Sequence, residues 1–300
     1  MEIVGCERIY TRYDMRATLA SGQTFAFTEE GGSFYGIADG RPVEIRGSDG
    51  GYDIIFPPGD AGFWRRYFDL DRPYDAMLKP FLGQNDGTAA GSTFSAQGES
   101  ALSTGCGSAF LSKCVGAFGG LRLLRQPVWE TLCAFIISAN NNLKRIGSIY
   151  RRISGAYGAA VEWAGRTYNA FPAAGALAAA GEQGLRGAGL GYRAPYLLDT
   201  ARAAAAGGLP DLDAMAYGDA LKYLMKFRGV GEKVADCVLL FSTSHQQAFP
   251  VDVWIERALR ERYGMDGTRR ELKLEAQKMF GGAAGVAQQF LFHGMRSNLI

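Results

Sequence analysis

Strand character and helix character occupy different parts of this chain, and that segregation is what most limits its fold. Within residues 20–57 the runs FAF, SFYGIA, PVEIR and YDIIF are short and rich in aromatic or β-branched residues. Asp39-Gly40 and Asp49-Gly50 fall between them. Asp-Gly is the strongest short hairpin signal, because both residues tolerate positive φ. Adjacent short runs joined by tight turns predict an antiparallel sheet. FWRRYFDLDRPYDAMLKPFL then sets Phe63, Tyr67 and Leu70 at helical spacing. From about residue 109 onward the pattern reads as helix, starting with PVWETLCAFIISA, where Pro127 suits a first turn. NLKRIGSIYRRISGAYG, RAPYLLDTARAAAA, DAMAYGDALKYLMKF, VWIERALRERYG and GVAQQFLFHGM follow. Strands followed by helices predict an α+β chain. The expected division is a small N-terminal antiparallel sheet domain with a flanking helix at 1–82 and an all-helical domain at 109–300. Residues 83–108 are rich in Gly, Ser, Thr and Ala and have almost no large apolar side chain. Such a stretch cannot bury enough surface to offset its ordering entropy, so it reads as a flexible insertion.

The 300-residue length fits about two domains of ~150 residues. No apolar run reaches the ~18 residues that span a bilayer. The N-terminus, MEIVGCERIYTRYDMRA, carries charges early, so neither a membrane partner nor a targeting signal is expected. Two histidines, His245 and His293, are too few and too far apart for a His-rich metal site. The five cysteines are an odd, scattered set, which fits neither a disulfide framework nor a four-cysteine cluster. Lys plus Arg is 32 and Asp plus Glu is 30, so the net charge of +2 gives no bulk sign of a nucleic-acid partner. The charge is unevenly placed, however. No Asp or Glu occurs from Thr131 to Val161, whereas Lys144, Arg145, Arg151 and Arg152 do. That stretch is either a phosphate-binding face or a solvated face whose acidic partners lie elsewhere.

The sharpest local signal is LMKFRGVGEKVADCVLLF at 224–241. An apolar helix ends at Phe227, Gly229-Val230-Gly231 makes a turn, and a second helix begins near Glu232. The two glycines permit positive φ and leave backbone N–H groups uncovered. At a helix N-terminus those groups form a phosphate site that reads no sequence. This helix–hairpin–helix points to DNA. Lys233 follows at once, and two readings of it stand. It is another phosphate contact, or it is a nucleophile, since the helix N-terminus and partial burial both disfavour the ammonium. A neutral amine attacks electrophilic carbon, including the anomeric carbon of a deoxyribose. Asp252, in FPVDVWIERAL, stands just before a helix. It is a pure N-cap, or it is also a fixed anion beside Lys233 that stabilises an oxocarbenium-like transition state.

These residues resemble the helix–hairpin–helix DNA glycosylase superfamily, and within it the 8-oxoguanine DNA glycosylase family. The matching segments are SGQTFAF at 21–27, LLRQPVWETLCAFIISANNNLKRI at 123–146, FP at 171–172 and GLGYRAPY at 189–196. GVGEKVADC at 229–237, PVDV at 250–253 and AQQFLF at 287–292 complete the set, in family order. The resemblance covers nearly the whole chain apart from 83–108. It implies a bifunctional glycosylase and abasic-site lyase that flips an oxidised guanine out of duplex DNA, preferably opposite cytosine. Lys233 would then attack the sugar, expel the base and form a Schiff base, with Asp252 as its partner and β-elimination to follow.

The resemblance also assigns a pocket. Gly22 matches the glycine whose carbonyl faces N7 of the damaged base. 8-Oxoguanine has a donor there and guanine a lone pair, so a carbonyl separates them. Gln288 matches the residue that reads the pairing edge, and Phe292 and Cys237 match the two sides of the stack. Asn140 matches the side chain that fills the vacated hole. Arg145 and Arg193 match arginines that address the orphaned cytosine, and Tyr192 matches a wedge. Gly229, Val230 and Gly231 would hold a DNA phosphate. The family's chemistry needs no metal or other cofactor, although the hairpin carbonyls suit a monovalent cation. The implied partner is double-stranded DNA bearing oxidised guanine, met by a monomer, in the cytoplasm beside the nucleoid if the source is bacterial.

Two departures stand out. Trp254 replaces a histidine found in vertebrate-like members, and Arg228 replaces the proline common before Gly-Val-Gly. Two rival readings are an alkylated-base glycosylase and a non-catalytic helix–hairpin–helix DNA-binding protein. The first expects an aromatic, electron-rich pocket for a cationic base and no lysine. The second expects the hairpin without the Lys–Asp pair.

Overall fold

The computed structural model describes residues 6–82, 105–297 and 299. Five antiparallel strands form the first layer: β1 (Glu7–Thr11), β2 (Phe27–Glu30), β3 (Ser33–Ala38), β4 (Arg41–Ser48) and β5 (Gly51–Phe56). Their order is β1-β5-β4-β3-β2. Asp39 and Gly40 both take positive φ, 50° and 71°, as a two-residue turn between β3 and β4 requires. On one face Val43 and Ile45 of β4 alternate inward, and Ile45 lies opposite Ile54 of β5. That face packs on Met15 of α1 (Met15–Ala20) and on Trp64 and Tyr67 of α2 (Ala61–Tyr67).

After α3 (Tyr74–Leu78) the chain is mainly helical. The helices are α4 (Gly105–Phe118), α5 (Val128–Ser138), α6 (Leu143–Tyr157), α7 (Ala174–Gly187) and α8 (Ala194–Gly207). They continue as α9 (Tyr217–Leu224), α10 (Glu232–Ser242), α11 (Val253–Tyr263), α12 (Arg269–Phe280) and α13 (Ala284–Arg296). α5 is buried from Glu130 to Ile137 and packs against α6, α8 and α10. Its Phe135 stacks on Phe241 of α10 at 5.6 Å between ring centroids.

The structure departs from the sequence reading in four places. β1 was not expected, and it closes the sheet by pairing with β5. The FAF run enters β2 only at Phe27. A short hairpin, β6 (Ala160–Trp163) and β7 (Arg166–Asn169), interrupts the stretch read as wholly helical. Its Tyr168 joins Ile37 of β3 in a small apolar cluster, so the hairpin is a brace between the two layers. Finally, α4 begins at Gly105, which takes 105–108 away from the expected insertion. Residues 83–104 lie outside the described residues.

One buried side chain joins the layers directly beside the glycine at position 22. Gln23 donates from Nε2 to the Arg122 carbonyl at 2.8 Å and accepts the Leu124 N–H on Oε1 at 2.8 Å. Gln126 donates back to the Gln23 carbonyl at 2.7 Å. A buried amide with both ends paired is fixed in place. The loop after α1 is therefore held against the segment that leads into α5.

Candidate active site

Six of the residues singled out in the sequence line one cavity of about 340 Å³: Gly22, Lys233, Cys237, Asp252, Gln288 and Phe292. They come from the loop after α1, from α10, from the start of α11 and from α13. A cavity of this size suits a small planar ligand.

Lys233 stands in the first turn of α10, half-buried, with its Nζ 5.4 Å from the Phe135 ring centroid. Cys237 lies one turn further along the same helix and is buried. Burial pushes its thiol up to about 11, with the Lys233 charge opposing and the Asp252 charge reinforcing the rise. Cys237 is thus a neutral thiol at physiological pH, and its surroundings link the lysine and the aspartate electrostatically.

Asp252 caps α11. Its Oδ1 accepts both the Trp254 N–H at 3.0 Å and the Ile255 N–H at 2.9 Å. Both cap bonds use one oxygen, and Asp252 lines the cavity. The two readings of Asp252 are therefore compatible: the cap is what orients the anion.

Gln288 is buried at 4% exposure, and its Nε2 donates to the Pro250 carbonyl at 3.2 Å. That bond fixes the amide orientation, so Oε1 is the free end. Among the described residues Oε1 is buried and without a partner. An orphaned buried acceptor costs free energy unless a ligand supplies the donor. Gln289 beside it donates to the Ser21 carbonyl at 3.3 Å and steadies the residue before Gly22. Gly22 itself has φ +82°, and a Cβ there would stand 3.1 Å from two Leu143 carbons. The positive φ favours glycine, and a Cβ would press on the end of the Leu143 side chain.

The hairpin between α9 and α10 has the expected form. Gly229 has φ +82°, and an added Cβ would lie 2.5 Å from the Tyr196 ring. Val230 is buried and pins the turn. Gly231 sits exposed at the start of α10, and among the described residues no side chain caps that helix end, a geometry that suits an anion.

The remaining predicted residues lie outside the cavity. Asn140 is exposed in left-handed backbone, φ 49°, at the loop between α5 and α6. Tyr192 is 48% exposed, and its hydroxyl donates to the Ala139 carbonyl at 3.2 Å. Arg145 is exposed in the first turn of α6. Arg193 differs from its expected presentation. It is buried, with Nε on the Ala139 carbonyl at 2.7 Å and one terminal nitrogen on the Asn140 carbonyl at 2.8 Å. In this conformation its guanidinium holds the loop that carries Asn140, because left-handed backbone turns those carbonyls toward it.

The sequence reading did not place Phe25, Phe135 or Phe241 in the site. They line the cavity together with Phe292 and Trp254. Each reads as ordinary core along its own segment, and only the tertiary fold brings them together.

Two family models match the chain. That of the 8-oxoguanine DNA glycosylase N-terminal domain matches residues 8–132, and that of the HhH-GPD superfamily base excision DNA repair proteins matches residues 133–281. A probable N-glycosylase/DNA lyase of Methanothermobacter thermautotrophicus is 33% identical over 213 residues, 63% of this chain and 68% of that protein. The N-glycosylase/DNA lyase of Saccharomyces cerevisiae is 36% identical over 168 residues, 51% of this chain and 45% of that protein. The solved structure of Clostridium acetobutylicum 8-oxoguanine glycosylase/lyase, in complex with double-stranded DNA containing cytosine opposite 8-oxoguanine, superposes with a TM-score of 0.83. That match has 30% identity and covers 100% of both chains. With both layers matched and the hairpin, lysine and aspartate in place, the chain belongs to the 8-oxoguanine DNA glycosylase family of N-glycosylase/DNA lyases, within the HhH-GPD superfamily.

Proposed function

We propose that this protein excises 8-oxoguanine paired with cytosine in duplex DNA and then cleaves the strand at the abasic site. The observation that carries this reading is the buried, unpartnered Gln288 Oε1 in the wall of the cavity that also holds Lys233 and Asp252. A guanine-type base offers two donors on its pairing edge, N1–H and the N2 amine, which suit that acceptor. Adenine sets a single donor, the N6 amine, beside an acceptor at N1, and so lacks the adjacent pair of donors. The Gly22 carbonyl favours the N7–H of 8-oxoguanine over the N7 lone pair of guanine by the same logic. Cys237 and Phe292 supply the flanks of the stack. The Clostridium relative, crystallised with cytosine opposite 8-oxoguanine, supports the same pairing.

The chemistry follows from the placement of two groups. The flipped nucleotide brings its C1′ beside Lys233. The lysine amine donates its lone pair to C1′, and the C1′–N9 bonding pair leaves with the base, which takes up a proton. Asp252, held in place by its cap bonds, stabilises the positive charge that develops on the sugar. Loss of the ring oxygen from C1′ then gives the Schiff base, and proton removal from C2′ expels the 3′ phosphate. On the opposite strand Asn140 enters the vacated hole. Arg145 offers its donors to cytosine, while Arg193 anchors the loop that carries Asn140. A non-catalytic hairpin protein would have no use for the Lys–Asp pair inside the cavity.

The test is a denaturing gel after incubation with duplexes carrying 8-oxoguanine opposite cytosine, 8-oxoguanine opposite adenine, or guanine. The cytosine-paired lesion should be nicked fastest and the undamaged duplex left whole. An intact lesion strand, before and after alkali, refutes the proposal.

A further inference from the structure

Lys144, Arg145, Arg151 and Arg152 share the polar side of α6, away from the buried Ile146, Ile149 and Ile153. A merely solvated face would find its acidic partners elsewhere in the fold. Among the described residues none of the four forms an ion pair. Arg152 is engaged in other ways, with Nε on the Ala188 carbonyl and one terminal nitrogen on Ser148 Oγ, both at 2.8 Å. Arg145 stands at the opposite-base end of the helix. Lys144 and Arg151 remain. Both are exposed, and both line an open cleft of about 330 Å³ between α6 and the loop after α1.

Two close approaches build this cleft. A Cβ at Gly22 would stand 3.1 Å from Leu143, and a Cβ at Gly147 would stand 3.9 Å from Phe25 and 3.3 Å from one terminal nitrogen of Arg151. The helix thus meets the sheet layer along Leu143 and Gly147. The absent side chain at Gly147 leaves room for the Arg151 guanidinium to lie back along α6 toward Lys144. That places it over a residue roughly 5 Å along the helix axis from Lys144. Among the described residues no carboxylate lines the cleft. Glu30 lies in the adjoining hollow that also borders Arg151, but Arg166 holds it at 2.9 Å. The cleft shares Gly22, Phe25 and Leu143 with the base cavity, so a ligand in one reaches the edge of the other.

We infer that this cleft is a second backbone-binding track, in which Lys144 and Arg151 each hold a phosphate of the duplex beside the lesion. The inference rests on the reading of this protein as one that acts on duplex DNA. Charge complementarity selects the ligand, because two unpaired cations with no carboxylate between them attract a polyanion. Spacing suits a single strand, whose phosphates recur at about 3.4 Å of duplex axis. The rest of the lining is mostly apolar, with Leu19, Phe25, Phe27 and Leu143, and has little to offer the pairing edge of a base. Contact there therefore reads neither sequence nor damage. The hairpin and the cleft border the same cavity, and together they grip the backbone at two places. The cleft adds affinity for any duplex and so serves the encounter that precedes flipping.

The experiment measures duplex binding by fluorescence anisotropy across salt, from about 50 to 200 mM, the range over which phosphate contacts are resolved. The chains are wild type, the pair Lys144→Gln with Arg151→Gln, and the charge-keeping pair Lys144→Arg with Arg151→Lys. Each is tested on an undamaged duplex and, in the Lys233→Gln background that stops turnover, on an 8-oxoguanine:cytosine duplex. The glutamine pair should flatten the slope of log affinity against log salt by about two. Affinity for both duplexes should fall by the same factor, at least about 10-fold at 0.1 M salt, and the charge-keeping pair should retain most of it. An unchanged slope in the glutamine pair overturns the inference, as does an equal loss in the charge-keeping pair, which would mark a structural role. A loss confined to the lesion duplex also overturns it, because the two residues would then read damage. A flattened slope, with no release of 8-oxoguanine by the wild-type chain, upholds the cleft and overturns the proposed function. Failure of the wild-type chain to bind either duplex overturns both.

Discussion

Replacing Glu130 by glutamine should make the protein more stable at neutral and alkaline pH and leave it nearly unchanged in mild acid. Glu130 lies on α5 at 8% exposure. Its Oε1 accepts the Asp39 N–H at 2.8 Å, and its Oε2 faces the Tyr150 hydroxyl at 3.4 Å. Burial raises the carboxyl from 4.5 to about 7, the Asp39 N–H bond pulls it down, and the Asp39 charge adds to the rise. The folded state therefore binds more protons than the unfolded state between those two values. The protonated acid contributes its full stability below about 4.5, and that contribution is lost as pH climbs through about 7. The difference is about 2.5 pH units, or on the order of 3 kcal/mol. Glutamine keeps the acceptor for Asp39 and never ionises. At about 2 °C per kcal/mol for a chain of this length, the variant should melt roughly 5 °C above wild type at pH 8. At pH 4.5 the two should agree within about 1 °C. Thermal melts followed by circular dichroism, repeated at several pH values, read the difference directly. A variant destabilised by the same amount at both ends of the range would refute the reasoning, because Glu130 would then act as an ionised partner throughout.

Gly22→Ala must place a Cβ at φ +82° and 3.1 Å from Leu143. It should cost about 1–2 kcal/mol and shift the carbonyl. Base excision from a lesion duplex should fall, while borohydride trapping on a preformed abasic site, where there is no base to read, stays near wild type. Lys273 is buried and pairs with Glu232 at 2.8 Å and Asp236 at 2.6 Å, tying α12 to the helix that carries Lys233. Lys273→Met should destabilise by about 3–5 kcal/mol in urea titrations by stranding Asp236, and adding Asp236→Asn should recover much of the loss.

Much of the scaffold was legible before the structure, and the reasons are local. Asp39-Gly40 marks a turn because those two residues adopt positive φ cheaply, and β3 and β4 follow from it. The Gly-Val-Gly hairpin is readable for the same cause, and Gly229 does lie where only glycine fits. What stayed hidden depends on partners distant in sequence. β1 is a strand only because Glu7–Thr11 pairs with residues near 52–56. The β6–β7 turn uses Ala164 at φ 51°, a residue that carries no turn signal. Arg193 is read as a donor to a base, and here its partners are the carbonyls of Ala139 and Asn140, which composition does not reveal. The aromatic wall is hidden for a similar reason, since Phe25, Phe135 and Phe241 each fit the apolar pattern of their own segment. A charge on Glu130 is visible in the sequence, whereas its burial is a property of the packed layers.

The account turns on Lys233 as the group that joins the sugar. Borohydride reduction during reaction with an 8-oxoguanine:cytosine duplex, followed by proteolysis and mass mapping of the cross-linked peptide, tests it most directly. The wild-type chain should form one covalent adduct, mapped to Lys233, and Lys233→Gln should form none while still binding the duplex. An adduct mapped to another residue, or one that persists in Lys233→Gln, would contradict the central claim.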